Sequence, residues 1–300
     1  MDMLTVKDVK KSFGSKKVVD GLNFSIPQNS IFGFVGQNGA GKTTTMKMIL
    51  GLLKMDAGEI LVDGKNVIYG NTPTNQVVGY LPDVPEFYPY MTPYEYLKFC
   101  GEISGIPAGE IRPRVLELLE RVGLASEKKR IKGFSRGMKQ RLGVAQALMG
   151  RPKLLICDEP TSALDPLGRK ELLDILVASK EETTIMFSTH ILSDVEKICD
   201  NIAFLHQGKL ALSGSISEIK KLNTKEEYEV IVQNKKDIIL LQDEFSNTVK
   251  TDDYTVRISS ETENSIKQIM QFVLAKSIAI EKIEKCEKTL ESLFMEVVGK

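Results

Sequence analysis

The chain has 300 residues, enough for about two domains, and 42% are hydrophobic, which suffices for buried cores but not for a bundle of membrane helices. No apolar run approaches the ~18 residues that a spanning helix needs, and the opening MDMLTVKDVKK lacks the apolar stretch of a secretory signal. Lys plus Arg and Asp plus Glu both total 40, so no basic footprint for nucleic acid is present. The four scattered cysteines (Cys100, Cys157, Cys199, Cys286) form no Cys-x-x-Cys pair, which argues against zinc or disulfides and fits a reducing cytosol.

Residues 1–85 read as strands and turns, with Val18–Val19 and Phe24–Ile26 strand-like and Pro27 to Ser30 breaking the pattern. IFGFV (Ile31–Val35) is a short apolar run closed by Gly36, and a helical run opens at Lys42, giving strand, glycine loop, helix. Thr92-Pro93-Tyr94-Glu95 is a capping box with proline at the first helical position. Val115, Leu118, Leu119 and Val122 share one helical face, and Gly123 is placed to end that helix. A helical insert over about 90–150 is thus predicted between two strand-rich parts. KLLIC (Lys153–Cys157) and TTIMF (Thr183–Phe187) have the continuous apolarity of buried parallel strands, and Gln207-Gly208 predicts a hairpin. Near residue 220 the texture turns to charged, alternating segments. Tyr254–Ile258 alternates like a strand, while Ile266, Ile269, Met270 and Val273 make a helical face, as do Leu290, Leu293, Phe294 and Val297. A small α+β appendage with a docking C-terminal helix is expected there.

GQNGAGKTT (Gly36–Thr44) fits G-x-x-x-x-G-K-[ST] immediately after a strand and at the start of a helix. Such glycines let main-chain N–H groups turn inward around phosphate oxygens. Lys42 is placed to reach the β- and γ-phosphates, and the Thr43 hydroxyl to ligate Mg²⁺. LLICDEP (Leu154–Pro160) delivers two acids at the carboxyl end of a buried strand, where open α/β sheets place ligands. Asp158 is the candidate Mg²⁺ ligand, and Glu159 the candidate group that orients or deprotonates an attacking water. FSRGMKQRL (Phe134–Leu142) sets a Ser-x-Gly ahead of a helical run, the layout of an anion site without a nucleophile or an acid–base group.

In that order and spacing, these motifs resemble the nucleotide-binding subunits of ATP-binding-cassette (ABC) transporters, over about residues 3–215. FSRGMKQRL stands as the family's signature, SALD (Ser162–Asp165) as its D-loop, and His190 in STHIL as its switch histidine. The resemblance implies a P-loop α/β core of RecA type with an antiparallel β-subdomain and a helical subdomain. It divides the chain into a cassette over 1–218 and an accessory α+β domain over 219–300. ATP and Mg²⁺ are the implied ligands. The P-loop residues Gly36, Gln37, Asn38, Gly39, Ala40, Gly41, Lys42, Thr43 and Thr44 hold the phosphates, and Glu159, His190 and Lys42 serve the chemistry. The family's cassettes pair head to tail, which implies that Ser135 and Gly137 contact the γ-phosphate of ATP on a second copy or a paralogous cassette, with Asp165 also at that site. A helix N-terminus offers free N–H groups and a positive dipole end for this task, although Ser135 can equally be a plain helix cap.

Other positions carry two readings. Phe13 in KKSFG matches the family's adenine-stacking aromatic, or is an ordinary core phenylalanine. His206 lacks a site context and reads as an exposed turn residue. VVGYLPDVPEFYPYMTPYEYL matches the family's Q-loop and the segment that meets the membrane subunit, and Phe87, Tyr88, Tyr90 and Tyr94 are either a docking patch or a cover for the helical insert. Three positions depart from the family pattern: Asp83 where glutamine is expected, Arg136 where glycine is frequent, and Met138 where glutamine is frequent. An ionised Asp83 near the γ-phosphate needs an intervening cation, so Asp83 is expected to approach Mg²⁺, held by Thr43 and Asp158, directly or through a water when the dimer closes; the alternative is a solvated loop acid. The implied function is ATP hydrolysis that powers a bacterial ABC transporter, with a separate transmembrane permease, no nucleic-acid partner, and a place on the cytoplasmic face of the plasma membrane. GYLPD…YPYMT and the closing LESLFMEVVG look most like bacitracin-type drug, peptide or ion exporters. The competing reading is a soluble ABC ATPase of translation or DNA repair. Those proteins usually carry two cassettes or a long coiled coil, and neither is visible here.

Overall fold

Alternating apolar and charged residues in MLTVKDVKK and VVDGLNFSI build two long strands in the computed structural model, which describes residues 1–70, 72–221, 226–260, 265–286, 290–291 and 293–294. These strands, β1 (Asp2–Phe13) and β2 (Lys16–Pro27), are followed by β3 (Ile31–Gly36), α1 (Lys42–Ile49), β4 (Ala57–Val62) and β5 (Lys65–Asn66). Next come β6 (Val78–Leu81) and three helices, α2 (Pro93–Ile103), α3 (Ala108–Arg121) and α4 (Arg136–Leu148). The chain then alternates through β7 (Leu154–Asp158), α5 (Pro166–Ser179), β8 (Thr184–Thr189), α6 (Leu192–Ile198) and β9 (Asn201–His206). It returns through β10 (Lys209–Ser215) to α7 (Ile216–Lys221). Contacts divide the chain into two compact units, 1–216 and 217–300.

In the first unit an antiparallel sheet of order β2-β1-β4-β5 lies beside a six-stranded sheet of order β10-β9-β3-β8-β7-β6. From β9 to β6 every pairing in the larger sheet is parallel. That explains why β3, β7 and β8 are buried along their whole length and read as unbroken apolar runs. The two sheets share a core in which Phe24 stacks on Phe32 and Phe34, with ring centroids 5.5 and 5.4 Å apart. Among the described residues no helix is long and apolar enough to cross a membrane.

Local signals are realised where they are strong. Thr92 and Glu95 form a reciprocal capping box at the start of α2. Val115, Leu118, Leu119 and Val122 are all buried, and Gly123 takes the left-handed conformation that ends the turn. Gln207 and Gly208 have φ of 46° and 78°, the pair of left-handed residues that a two-residue hairpin demands. His206 is the last residue of β9, beside that turn and half-buried.

The second unit is a four-stranded antiparallel sheet. Its elements are β11 (Glu226–Val232), α8 (Asp237–Glu244), β12 (Thr248–Lys250), β13 (Thr255–Ser260), α9 (Ser265–Ala275) and β14 (Ile280–Cys286), with strand order β12-β13-β11-β14. Tyr228, Val230 and Val232 alternate inward against Ile238, Leu241, Ile269 and Val273. One expected core position is corrected: Met270 is half exposed. Phe272 packs edge-on against Phe245 and turns the buried stripe of α9 away from it. Leu290, Leu293 and Phe294 are buried, whereas Val297 lies outside the described residues.

Candidate active site

Adjacent parallel strands β3, β8, β7 and β6 end side by side, and the candidate groups lie at or just past those ends, where the sheet leaves a crevice. After Gly36, residues 37–41 make a tight turn closed by the Ala40 N–H on the Gln37 carbonyl. Gly39 and Gly41 have φ of 82° and 110°, and a Cβ on Gly41 would lie 2.8 Å from the Val18 carbonyl, so only glycine serves there. The turn opens α1, whose first N–H groups remain free for an anion. Gln37, Asn38 and Gly39 are exposed on the turn, while Ala40 and Gly41 are buried beneath it. Thr44 is half-buried on the first turn of α1.

Lys42 is buried, and its ammonium donates to the carbonyls of Gly36 (2.6 Å) and Gln37 (3.4 Å). Its Nζ also lies 3.1 Å from Glu159 Oε1, an ion pair without the angle of a hydrogen bond. Glu159 Oε2 lies 2.8 Å from Nδ1 of His190. Glu159 itself adopts φ 47°, unusual for a non-glycine residue, and its N–H is held by the carbonyl and hydroxyl of Ser188. Lys42, Glu159 and His190 are thus one contiguous cluster.

Thr43 Oγ1 and Asp158 Oδ2 are 3.0 Å apart, and the Ser188 hydroxyl donates to the other Asp158 oxygen at 2.9 Å. Burial raises the proton affinity of Asp158 above the usual carboxylate range, against the hydrogen bonds from Ser188 and Thr43 that oppose it. A buried carboxylate short of positive charge beside a threonine hydroxyl is an oxygen donor set that suits Mg²⁺, which takes few protein ligands and keeps its waters. Tyr80, on β6, is pushed up to about 12 by burial and by the nearby Asp158 and Asp83.

Asp83 does not join this pair. Its Oδ1 accepts from the Ser162 hydroxyl at 2.7 Å and faces Arg136 Nη2 at 3.6 Å, with no contact to Thr43 or Asp158. In this single chain the cation beside Asp83 is the Arg136 guanidinium. Ser135 caps α4, accepting from the Met138 N–H at 3.2 Å, and is exposed beside Gly137. Asp165 occupies the N-cap of α5 without a side-chain cap bond and is exposed. A shallow cleft of about 230 Å³ contains Ser135, Gly137 and Asp165 together. Phe13 ends β1, is 52% exposed with the Lys11 ammonium over its ring, and is not a core residue. Phe87 packs edge-on against Tyr96, whereas Tyr88 and Tyr90 remain exposed and Tyr94 is half-buried.

Ser188 escaped sequence reasoning, and Ser162 and Gln140, though inside SALD and FSRGMKQRL, were given no role of their own. Ser188 is on β8, which ends one residue before His190, and that nearness is the one signal that points to it.

A model of the ABC transporter family matches residues 19–162, and a model described as the C-terminal domain of DrrA1-3-like ATP-binding proteins matches 214–298. The uncharacterized ABC transporter ATP-binding protein YxlF of Bacillus subtilis is 34% identical, with 99% of each chain covered. The bacitracin transport ATP-binding protein BcrA of Bacillus licheniformis is 38% identical, over 99% of this chain and 97% of that one. The chain belongs to the ABC transporter ATP-binding proteins. Its P-loop α/β core agrees: cbiO1 of Clostridium perfringens, part of the transporter complex cbiONQ, superposes with a TM-score of 0.67 at 30% identity, covering 74% of this chain and 94% of that one. As an ABC ATP-binding protein the chain binds nucleotide and is an ATPase that powers transport.

Proposed function

We propose that this ABC cassette hydrolyses ATP to drive an exporter whose membrane-spanning permease is a separate chain, and that it works as a head-to-tail pair of cassettes on the cytoplasmic face of the plasma membrane. The observation that carries the reading is the convergence, at the P-loop turn, of Lys42, Glu159 and His190 in one cluster and of Thr43 with Asp158 in another. Relatives matched over nearly the full length are named for bacitracin transport, which favours export over the soluble ATPases of translation and DNA repair.

The main-chain N–H groups of residues 39–44 cradle the phosphates, and Lys42 exchanges Glu159 for the β- and γ-oxygens. Thr43 and Asp158 would hold Mg²⁺, which would supply positive charge to the phosphate oxygens. Glu159 accepts a proton from the water that attacks the γ-phosphorus, while the bond to the bridging oxygen breaks. His190, 2.8 Å from Glu159, orients that carboxylate and would donate to the γ-phosphate of bound ATP. Phe13 offers its exposed face to adenine. Ser135 and Gly137, with Asp165, close over the partner cassette's ATP. Tyr88 and Tyr90 are proposed to face the permease, and residues 219–300 are proposed as an accessory domain outside the hydrolytic core.

The test is light scattering of the full chain carrying Glu159→Gln, with and without ATP, together with affinity capture of the native chain from detergent-solubilised membranes. A dimer that forms only with ATP, and co-purification of a multi-helix membrane protein, are expected. A monomer at saturating ATP, or capture of ribosomes instead, overturns the reading.

A further inference from the structure

Two of the departures from the family pattern, Asp83 and Arg136, face each other. Arg136 is the first residue of α4 and Gln140 lies one turn on, and both reach Asp83. Arg136 Nη2 is 3.6 Å from its carboxylate, and Gln140 Nε2 donates to its main-chain carbonyl at 2.5 Å. From the other side the Ser162 hydroxyl donates to the same carboxylate oxygen at 2.7 Å. Ser162 belongs to the loop that begins with Glu159, and its N–H is bonded to the Glu159 carbonyl. Asp83 therefore joins two segments far apart in sequence: the helix start that carries Ser135 and Gly137, and the loop that carries Glu159.

The charges explain the pairing. A helix N-terminus is the positive end of the dipole, so a cation at the first position is disfavoured unless an anion answers it. Asp83 is that anion. The neutral glutamine of the family pattern at this place could not supply it, and the glycine frequent at 136 would not require it. Both side chains are about half exposed, 49% for Asp83 and 48% for Arg136, so the pair is weak and sensitive to salt. Gln140 by contrast is buried, which fixes the backbone of the Asp83 loop whatever the charges do. The charge pair is thus an adjustable contact laid over a fixed one.

We propose that Asp83 and Arg136 are a positioning pair. It holds the first turn of α4, with Ser135 and Gly137, in register with the Glu159 loop, and thereby sets the ATP concentration at which cassettes close. The proposal rests on the reading of Ser135 and Gly137 as contacts to a partner's ATP. Neither member of the pair needs to touch the nucleotide.

Steady-state ATPase kinetics of the full chain test it, with Asp83→Asn, Arg136→Gln, the double variant and Arg136→Lys. Each neutral single variant is expected to raise KM for ATP roughly 1.5- to 5-fold, the range of a weak ion pair, with kcat changed less. The double variant is expected to be no worse than the poorer single one, Arg136→Lys to recover most of the loss, and added salt to raise KM in the wild type more than in the double variant. Additive losses, or an unchanged KM in Asp83→Asn, overturn the pair. So does a higher Mg²⁺ requirement in Asp83→Asn alone, which would return Asp83 to the metal. The dimer reading is checked separately in the Glu159→Gln background. If Glu159→Gln never dimerises with ATP, that reading fails; if it dimerises at the same ATP concentration with and without Asp83→Asn, the positioning pair fails.

Discussion

Replacing Glu159 with glutamine should tighten ATP binding as well as stop turnover, and the ion pair to Lys42 sets the size of the effect. The charges stand 3.1 Å apart with side chains 6% and 13% exposed. At an effective dielectric constant of about 20 their attraction is roughly 5 kcal/mol before desolvation is counted. Desolvation of two nearly buried ions offsets most of that, leaving on the order of 1 to 2 kcal/mol that ATP must displace when its phosphate takes Lys42. Glutamine keeps the size and removes the competing charge. Lys42 stays in place, because its bonds to the Gly36 and Gln37 carbonyls do not involve Glu159. The dissociation constant for ATP is therefore expected to fall roughly 5- to 30-fold, while phosphate release slows by about 10² to 10⁴ as the general base is lost. Equilibrium titration of a fluorescent ATP analogue on the full chain measures the first effect, and a coupled phosphate assay the second. An unchanged or weaker affinity would refute the argument, since it would mean that Glu159 does not compete for Lys42.

Arg169 is the nearest cation to Asp194, whose side chain is fully buried, at 3.9 Å. Arg169→Met should cost about 3 kcal/mol in a urea titration by stranding that charge, and Arg169→Met with Asp194→Leu should recover most of it. A chain ending at Lys221 should still bind ATP in the same titration, because its sheets and their shared core lie within residues 1–216; failure to fold would place the accessory unit inside the main core. Asp253 is held down to about 2 by hydrogen bonds from Lys235 and Lys250. Its folded value is thus below the ordinary ~3.9 of an unfolded aspartate, so its contribution is full above about pH 4 and lost as pH falls towards 2, which the carboxyl resonance of Asp253 should trace by NMR.

What could be read from the sequence was local and periodic. Gly36–Thr44, the Thr92–Glu95 box, the stripe through Val115 and Leu119 and the Gln207–Gly208 turn each declare themselves within a few residues, because dihedral preference and amphipathic period are near-neighbour properties. β14 did not: in IEKIEKC the isoleucines recur at a spacing of three, which imitates a helix, and only pairing with β11 makes it a strand. The partners of Asp83 in the single chain were not legible, for a different reason. Arg136 and Ser162 lie 53 and 79 positions away, and the spacing of charges along a chain says nothing about which of them the sheet order brings together. The same holds for Lys42 with Glu159, which no motif pairs explicitly.

The parallel pairing of β6 with β7 has an evolutionary corollary. Val78 lies opposite Leu154 and Leu81 opposite Cys157, yet residues 82–153 intervene in sequence. That whole stretch leaves the sheet past one strand end and rejoins it at the start of the neighbour. Its helices can lengthen, shrink or change their surface chemistry while the two strands keep their register and Asp158 keeps its place. Apart from Ser135 and Gly137, most of the excursion can therefore diverge without moving Asp158. Asp83, at its root, and Arg136, near its far end, face each other, so a graft of only part of this stretch between relatives should carry both or neither, and a graft of all of it should meet a hydroxyl at 162.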